Sequence, residues 1–189
     1  GGGRIFGAGT VGSGARSQLG FEGASNPSAD RDKFSFGMNP TSGWKTVKTE
    51  AFFRDFSSWQ NFIVAVDCTQ STSSDRVKIY HNGVEQALSG TYPDNEDQPI
   101  NSAVGHAIGR YNAESADYFN GLLSNFYFID GQQLSPSDFG FTDLQTNTWK
   151  PKKYEGTFGT NGFWLPLDSE DDFEKDKSGN GNDFTKNNF

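Results

Sequence analysis

An Asn-Gly pair between two strand-like runs is the feature of this chain that constrains its fold most. Residues 77–81 (VKIYH) and 84–88 (VEQAL) flank Asn82-Gly83. A two-residue hairpin turn needs positive φ at both central positions, which asparagine and glycine adopt most readily. The run before it, residues 59–68 (WQNFIVAVDC), has the pattern of a buried strand that begins at Trp59. The sequence therefore predicts antiparallel β-structure around this hairpin.

Composition and periodicity extend this prediction to the whole chain. Aromatic residues make up 15% of the sequence, 18 of them Phe, and such side chains favour pleated, half-buried surfaces. The 23 glycines, with many Asn, Asp and Ser, supply turns, and helical spacing of apolar residues never extends beyond about two turns. Further strands are predicted within residues 33–38, 44–56, 104–109, 118–130 and 162–167, and a short helix capped by Ser135 follows. The fold class predicted is all-β.

Charge and cysteine content exclude several classes of function. The net charge is −8 and the pI about 4.7, whereas nucleic-acid binding selects clustered Lys and Arg. No apolar run approaches the roughly 18 residues of a membrane-spanning helix. Cys68 is alone and is expected to be a small buried hydrophobe rather than a reactive thiol. We therefore expect neither a nucleic-acid partner nor membrane insertion.

The composition changes along the chain and divides it into three segments. Residues 1–30 are rich in Gly, Ser and Ala and are expected to form a Gly-rich arm or edge strands. Residues 31–141 hold the predicted sandwich. Residues 142–189 form a C-terminal extension, either the closing strand of the sandwich or the start of a further module. Its basic cluster, Lys150, Lys152 and Lys153, is expected in a solvated linker. Because the chain opens on Gly-Gly-Gly without Met, we expect a processed product or an interior piece of a longer protein.

Several runs resemble the concanavalin A-like superfamily, in particular its laminin G and pentraxin-like domains. Residues 59–67 and 77–84 are similar to the central hairpin of that superfamily. Ile108-Gly109, followed by residues 118–126, resembles its next strand, and Leu134-Ser135-Pro136 resembles the turn that closes it. The resemblance implies an antiparallel two-sheet jelly-roll sandwich.

A narrower likeness links the chain to concanavalin A-like modules in structural proteins of tailed bacteriophages. It is carried by residues 128–134, 149–154, 159–163 and 178–183. This resemblance implies a virion surface protein, such as a tail fibre, an adhesin or a capsid decoration. The expected location is then the virion, outside the cell, with other virion proteins and copies of the chain itself as partners.

Glycan binding, for attachment to a host or another surface, is the function that the sequence favours within this fold. Sugar rings stack on aromatic rings, and their hydroxyls need fixed donors and acceptors. The predicted loops 89–101 and 110–118 offer both. The candidate ligand-binding residues are Tyr92, Asp94, Asn95, Asp97, Tyr111, Asn112 and Asp117. The four tryptophans, Trp44, Trp59, Trp149 and Trp164, are instead expected as core or interface anchors. Ordinary surface loops have the same composition, so a purely structural role as a decoration or fibre subunit is the alternative.

The acidic tail suggests a third function, glycoside hydrolysis. Glu170, Asp172 and Glu174 match the E-x-D-x-E signature of β-glucanases on this fold, in which two carboxylates flank the glycosidic bond. That signature needs a regular strand with apolar residues between its carboxylates, whereas Asp171 is charged. We therefore do not expect an enzyme, and an endo-glycosidase is a minor alternative. With two His and one Cys, neither a zinc site nor a catalytic triad is expected.

Calcium is the one cofactor that the sequence suggests. Ca²⁺ takes six to eight oxygen ligands, and the acidic tail offers many on a glycine-containing backbone. The candidate ligands are Asp168, Asp172, Asp176, Asn180, Asn182 and Asp183. The alternative is a charged turn in which Asn and Gly adopt positive φ.

Overall fold

The structure is a computed structural model that describes residues 3–10, 14–23, 29–40, 43–55, 57–111 and 117–187. The strands are β1 Gly3–Gly9, β2 Arg16–Phe21, β3 Phe34–Asn39, β4 Lys45–Thr49, β5 Phe62–Val66, β6 Val77–His81, β7 Val84–Glu85, β8 Leu88–Gly90, β9 His106–Ile108, β10 Phe126–Phe128, β11 Gly140–Asp143, β12 Thr148–Pro151 and β13 Phe163–Leu165. One short helix, α1 Pro136–Phe139, and two single 3₁₀ turns complete the elements in these ranges. The predicted all-β class is confirmed.

The chain divides into two compact units, and each is described by itself. The first unit contains Gly1–Asn120 and Gln133–Lys153, and the second contains Gly121–Gln132 and Tyr154–Phe189. In the first unit, a six-stranded sheet has the order β8-β4-β3-β2-β1-β9, a three-stranded sheet has the order β5-β6-β7, and β11 pairs with β12. In the second unit, β10 pairs with β13. All these pairings are antiparallel.

The core of the first unit lies between its two larger sheets. Phe36 and Met38 of β3 and Val47 of β4 form one buried cluster with Val77 of β6. The ring of Phe34 also stacks on Phe62 of β5, with centroids 4.3 Å apart. Two antiparallel sheets packed face to face agree with the predicted concanavalin A-like sandwich.

The hairpin predicted from Asn82-Gly83 is confirmed in type and position. Asn82 and Gly83 have φ values of 46° and 79°, and Tyr80 pairs with Glu85 across the turn. The helix start at Ser135 is also confirmed, because Ser135 and Asp138 form a reciprocal capping box. Local turn and cap chemistry therefore carried reliable information at these two places.

Other local predictions were wrong. The glycine-rich strands β1 and β2 lie inside the six-stranded sheet and not at its edge, because β9 pairs with the outer side of β1. Trp59 does not begin a buried strand: 68% of it is exposed, and β5 starts at Phe62. The apolar run 118–130 contains only the three-residue strand β10, since Asn125 adopts a φ of 53° just before it.

The basic cluster does not lie in a linker either. Lys150 belongs to β12, where it stands opposite Phe141 of β11. The segment that the sequence presents as a polar linker is thus partly a hairpin, whose two strands pair only with each other in the described part of the chain. None of the described helices is long and apolar enough to cross a membrane.

The second unit is built on an aromatic pair of strands. Phe163 and Leu165 of β13 are buried, and the Phe163 ring stacks between Phe126 and Phe128 of β10 at 5.8 and 5.5 Å. On the other face of the pair, Tyr127 stacks on Trp164 with centroids 5.6 Å apart. Residues 168–187 follow these strands without regular secondary structure.

Candidate functional site

The six-stranded sheet presents one face to the core and the opposite face outward. Side chains alternate along a strand, so Gly37, between the core residues Phe36 and Met38, faces outward. The Trp44 indole lies over this glycine, because a Cβ atom at Gly37 would stand only 2.7 Å from the Trp44 Cζ2 atom. Trp44 is nevertheless 43% exposed. A glycine in β3 therefore makes room for an aromatic ring that is supported from below and open to solvent.

Arg16 joins this indole to a second aromatic ring. It begins β2, opposite Asn39 of β3 and Gly9 of β1. Its guanidinium carbon lies 5.6 Å from the Trp44 ring centroid and 5.6 Å from that of the buried Tyr111. Both distances are within the range of cation–π attraction. Arg16 is therefore held in a fixed position beside the exposed indole.

The loop after β8 brings a carboxylate to the same end of the sheet. The Thr91 N–H donates a 2.8 Å hydrogen bond to the Thr46 carbonyl, so the loop starts along β4. The Asp94 carboxylate then lies 3.1 Å from the Nζ atom of Lys45, the residue that follows Trp44. Lys45 pairs with the core residue Met38, so the Lys45–Asp94 pair lies on the core-facing side of the sheet, opposite to Trp44. Arg16, Trp44 and Tyr111 together are called the Trp44 site below.

The other glycan-binding candidates occupy different environments. Tyr92 packs against the core cluster, and burial raises the pKa of its phenol. Asn95 and Asp97 are exposed in the same loop as Asp94, and Asn112 lies outside the described residues. The Asp117 carbonyl accepts a 2.8 Å hydrogen bond from the Arg4 N–H near the start of β1, whereas Arg16 pairs with the end of that strand. The structure thus brings Tyr111 into the Trp44 site and leaves Asp94 and Asp117 apart from it.

Two members of the Trp44 site were missed by the sequence predictions. Arg16 belongs to the segment expected to be an arm or an edge, and Trp44 was expected in the core. The one available signal for Trp44 was Gly37 in an otherwise bulky strand, since a glycine there suggests that another group approaches closely.

In the second unit, the acidic segment is organised around Asp176. Its carboxylate accepts backbone hydrogen bonds from Trp164 (2.9 Å), Ser178 (2.8 Å) and Asn182 (3.0 Å). Burial alone would raise the pKa of Asp176, but these hydrogen bonds outweigh it and hold the pKa below its ordinary value. The Asn180 amide adds donated bonds to the carbonyls of Gly159 and Gly162. These side chains therefore tie the tail to the residues around β13.

The remaining calcium candidates act as ion-pair partners or face solvent. Asp172 lies 2.5 Å from Lys177 Nζ and Asp183 lies 2.8 Å from Lys175 Nζ, and these bonds lower the pKa of both carboxyls. Asp168 is exposed. Among the described residues, no group of three or more His, Cys, Asp or Glu side chains is placed to hold a metal ion. The calcium site stays a prediction.

The catalytic signature in this tail does not lie on a strand. Residues 170–174 form turns, and Glu174 pairs with Lys186 Nζ at 3.2 Å. Glycoside hydrolysis requires two carboxyl groups fixed on either side of the scissile bond. The turn does not supply the alternating strand geometry that this signature uses on the same fold.

Comparison with known proteins identifies the fold but no individual relative. A laminin G family model, described as the Concanavalin A-like lectin/glucanases superfamily, matches residues 2–138, more than half of the chain. All three residues of the Trp44 site lie within the matched range, and the acidic tail lies beyond it. No curated protein and no solved structure matches the chain at a significant level.

Proposed function

Since the chain belongs to the concanavalin A-like lectin/glucanase superfamily, we propose that it is a carbohydrate-binding surface module that takes its ligand at the Trp44 site. The observation that carries the proposal is the half-open indole of Trp44 above Gly37. An aromatic ring that is supported by a sheet and open to solvent can stack on the C–H face of a sugar ring. Fixed support from below keeps the loss of conformational freedom on binding small.

The polar part of the site matches the rest of a sugar. Sugar hydroxyls both donate and accept hydrogen bonds, so donors at a fixed position can bind their oxygens. The Arg16 guanidinium offers several N–H donors beside the Trp44 ring. A neutral or acidic glycan fits this site, because its three residues contain one cation and no carboxylate.

We place this activity on the surface of a phage virion, outside the cell. The support is the likeness of residues 128–134, 149–154, 159–163 and 178–183 to structural proteins of tailed phages. In that setting the ligand is a glycan of a host or another surface, and the protein partners are other virion proteins. We propose no enzymatic activity, because the residues of the Trp44 site include no carboxylate, whereas glycosidases use two.

Glycan-array screening followed by calorimetric titration with the best ligand tests the proposal. We expect Trp44→Ala to lower the affinity at least tenfold. Trp59→Ala is the matched control, since Trp59 is more exposed than Trp44 and lies before β5 of the other sheet. Absence of any glycan ligand, or equal losses in the two variants, would contradict the proposal.

A purely structural role for the same sandwich is the second candidate. It is favoured by one observation, the exposed apolar side chains of Phe141 and Leu144 on the hairpin β11–β12. Exposed apolar groups on an ordered element are typical of surfaces that assemble. This candidate predicts association between copies without any glycan.

A further inference from the structure

The hairpin β11–β12 exposes apolar side chains that nothing in its own unit covers. Leu144, at its tip, is 95% exposed, and Phe141 of β11 is exposed as well. In the described part of the chain, the two strands pair only with each other, so no further strand pairs with either outer edge. Open strand edges and exposed apolar groups are features that a protein partner can use.

The tip of the hairpin is ordered, although its leucine faces solvent. Asp143 Oδ1 accepts hydrogen bonds from the N–H groups of Gln145 (2.8 Å) and Thr146 (3.3 Å), and its other oxygen pairs with Lys150. Trp149 of β12, opposite Thr142, packs on Gly83 and Gly140. These contacts fix the backbone of the turn that carries Leu144, which lowers the entropy lost on binding.

Charge distinguishes the hairpin from the rest of this acidic chain. Residues 140–153 contain three lysines and one aspartate, for a net charge of +2. Lys150, Lys152 and Lys153 are all exposed. Residues 154–189 contain eight carboxylates and three lysines, for a net charge of −5. The hairpin is thus a basic, apolar surface on a protein whose tail has the opposite charge.

We propose that the hairpin binds the acidic segment, residues 168–171, of a second copy of this chain. Asp168, Glu170 and Asp171 in that segment are exposed and opposite in charge to Lys152 and Lys153, whereas Lys150 is already paired with Asp143 within the hairpin. The contact joins two different surfaces, so it is head-to-tail and extends into rings or open filaments. It uses no residue of the Trp44 site, and its failure would leave the glycan proposal untouched.

Sedimentation velocity of the full chain tests this contact. Wild-type protein is expected to associate as its concentration rises at about 20 mM salt. Association should weaken at about 1 M salt, where the Debye length is about 3 Å. We use two charge variants. The lysine variant carries Lys152→Glu and Lys153→Glu, and the acidic variant carries Asp168→Lys, Glu170→Lys and Asp171→Lys. Each variant is expected to lower the association constant at least tenfold. Leu144→Ser does the same, whereas Leu122→Ser, at an exposed leucine outside the hairpin, does not.

Mixing the two charge variants distinguishes this specific contact from non-specific association. The lysine variant keeps its acidic segment and the acidic variant keeps its hairpin, so one intact contact forms between them. A one-to-one mixture should therefore give a dimer that grows no further, although each variant alone is monomeric. Wild-type protein that stays monomeric at every salt concentration overturns the proposal, and so does a mixture that stays monomeric. Circular dichroism confirms that every variant is folded.

Discussion

The indole of Trp149 closes so tightly over Gly83 that a Cβ atom there would overlap its Cδ1 and Nε1 atoms. Gly83 is the second residue of the β6–β7 turn, and its φ of 79° is one that L side chains rarely adopt. The same glycine therefore serves the hairpin turn and the anchoring of β12. Two unrelated requirements meet at one position, which makes it a sharp test of the structure.

Gly83→Ala is expected to destabilise the first unit by about 2–4 kcal/mol, combining backbone strain with overpacking against Trp149. Urea unfolding measures the change. Gly109→Ala is the matched control, because Gly109 has a φ of 80° and no neighbour within 4 Å of its Cβ position. Gly109→Ala should lower the free energy of unfolding only by the backbone-strain contribution, about 1 kcal/mol. Equal losses in the two variants would show that Trp149 does not close over the turn.

A buried ion pair at the start of β1 gives a second prediction. Arg4 and Glu22 lie 3.4 Å apart, with side chains 10% and 5% exposed, and Ser35 donates a 2.5 Å hydrogen bond to the same Glu22 oxygen. Glu22→Gln leaves the Arg4 cation buried without its counter-ion, which should cost about 3 kcal/mol in urea unfolding. Glu50→Gln is the control, since the exposed Glu50 carboxylate lies 3.9 Å from Lys33. Glu50→Gln should lower the free energy of unfolding by less than about 0.5 kcal/mol. Similar losses in Glu22→Gln and Glu50→Gln would show that burial does not strengthen the Arg4–Glu22 pair.

Asp176 should govern the local stability of the tail. Asp176→Ala removes the acceptor of three backbone N–H groups, and hydrogen exchange at Trp164, Ser178 and Asn182 should accelerate by roughly 10–100-fold. Asp171→Asn, at an exposed neighbour, should leave these rates unchanged. If the amides of Trp164, Ser178 and Asn182 keep their protection in the Asp176→Ala variant, the Asp176 carboxylate does not stabilise the tail.

The same carboxylate makes the tail sensitive to acid. The pKa of Asp176 is lower in the folded tail than its ordinary value of 3.8, so the unfolded tail binds the proton first as pH falls. The stabilisation is complete above about pH 4 and is lost as pH drops through the lowered pKa. Below pH 4, the exchange rates of these three amides in the wild-type protein should therefore rise relative to the rates in the Asp176→Ala variant. The same pH dependence in both proteins would contradict this prediction.

His81 gives a pH dependence in a higher range. It packs against the rings of Phe53 and Phe62, with centroids 4.7 and 5.0 Å away, and forms a hydrogen bond with Gln60. Burial lowers the pKa of His81 below 6.5. The unfolded chain therefore takes up the proton first, and the free energy of unfolding should fall as pH drops from about 6.5 to the lowered pKa. His81→Gln should remove this slope; its persistence would assign the slope to another group.

The sequence was informative where a local rule applied and where the superfamily pattern was complete. Asn82-Gly83 specifies its hairpin because few residues other than asparagine and glycine tolerate positive φ at both positions. Ser135 and Asp138 specify the short helix through their capping box. Neither feature depends on distant parts of the chain, so one sequence was enough to locate both.

The Trp44 site depends on contacts that no local pattern encodes. Gly37 and Trp44 meet only because β3 and β4 pair in one register, and Arg16 reaches them from β2. Trp59 shows the converse, since an aromatic at the edge of an apolar run looked buried although its strand starts at Phe62. Strand pairing decides whether an aromatic side chain lies in the core or on the surface, and the local sequence pattern does not encode that pairing.

Under the proposed function, Arg16 contributes through its shape as well as its charge. A planar guanidinium stacks on aromatic rings and directs several N–H donors in one plane, whereas a lysine ammonium does neither. Arg16→Lys should therefore lower glycan affinity about tenfold in calorimetric titration, corresponding to two cation–π contacts of roughly 0.5–1 kcal/mol each. Lys45→Arg is the reciprocal control and should change the affinity less than threefold, because Lys45 lies on the other face of the sheet and its partner Asp94 accepts either cation. Equal effects of the two exchanges would show that the stack of Arg16 between Trp44 and Tyr111 has no part in binding.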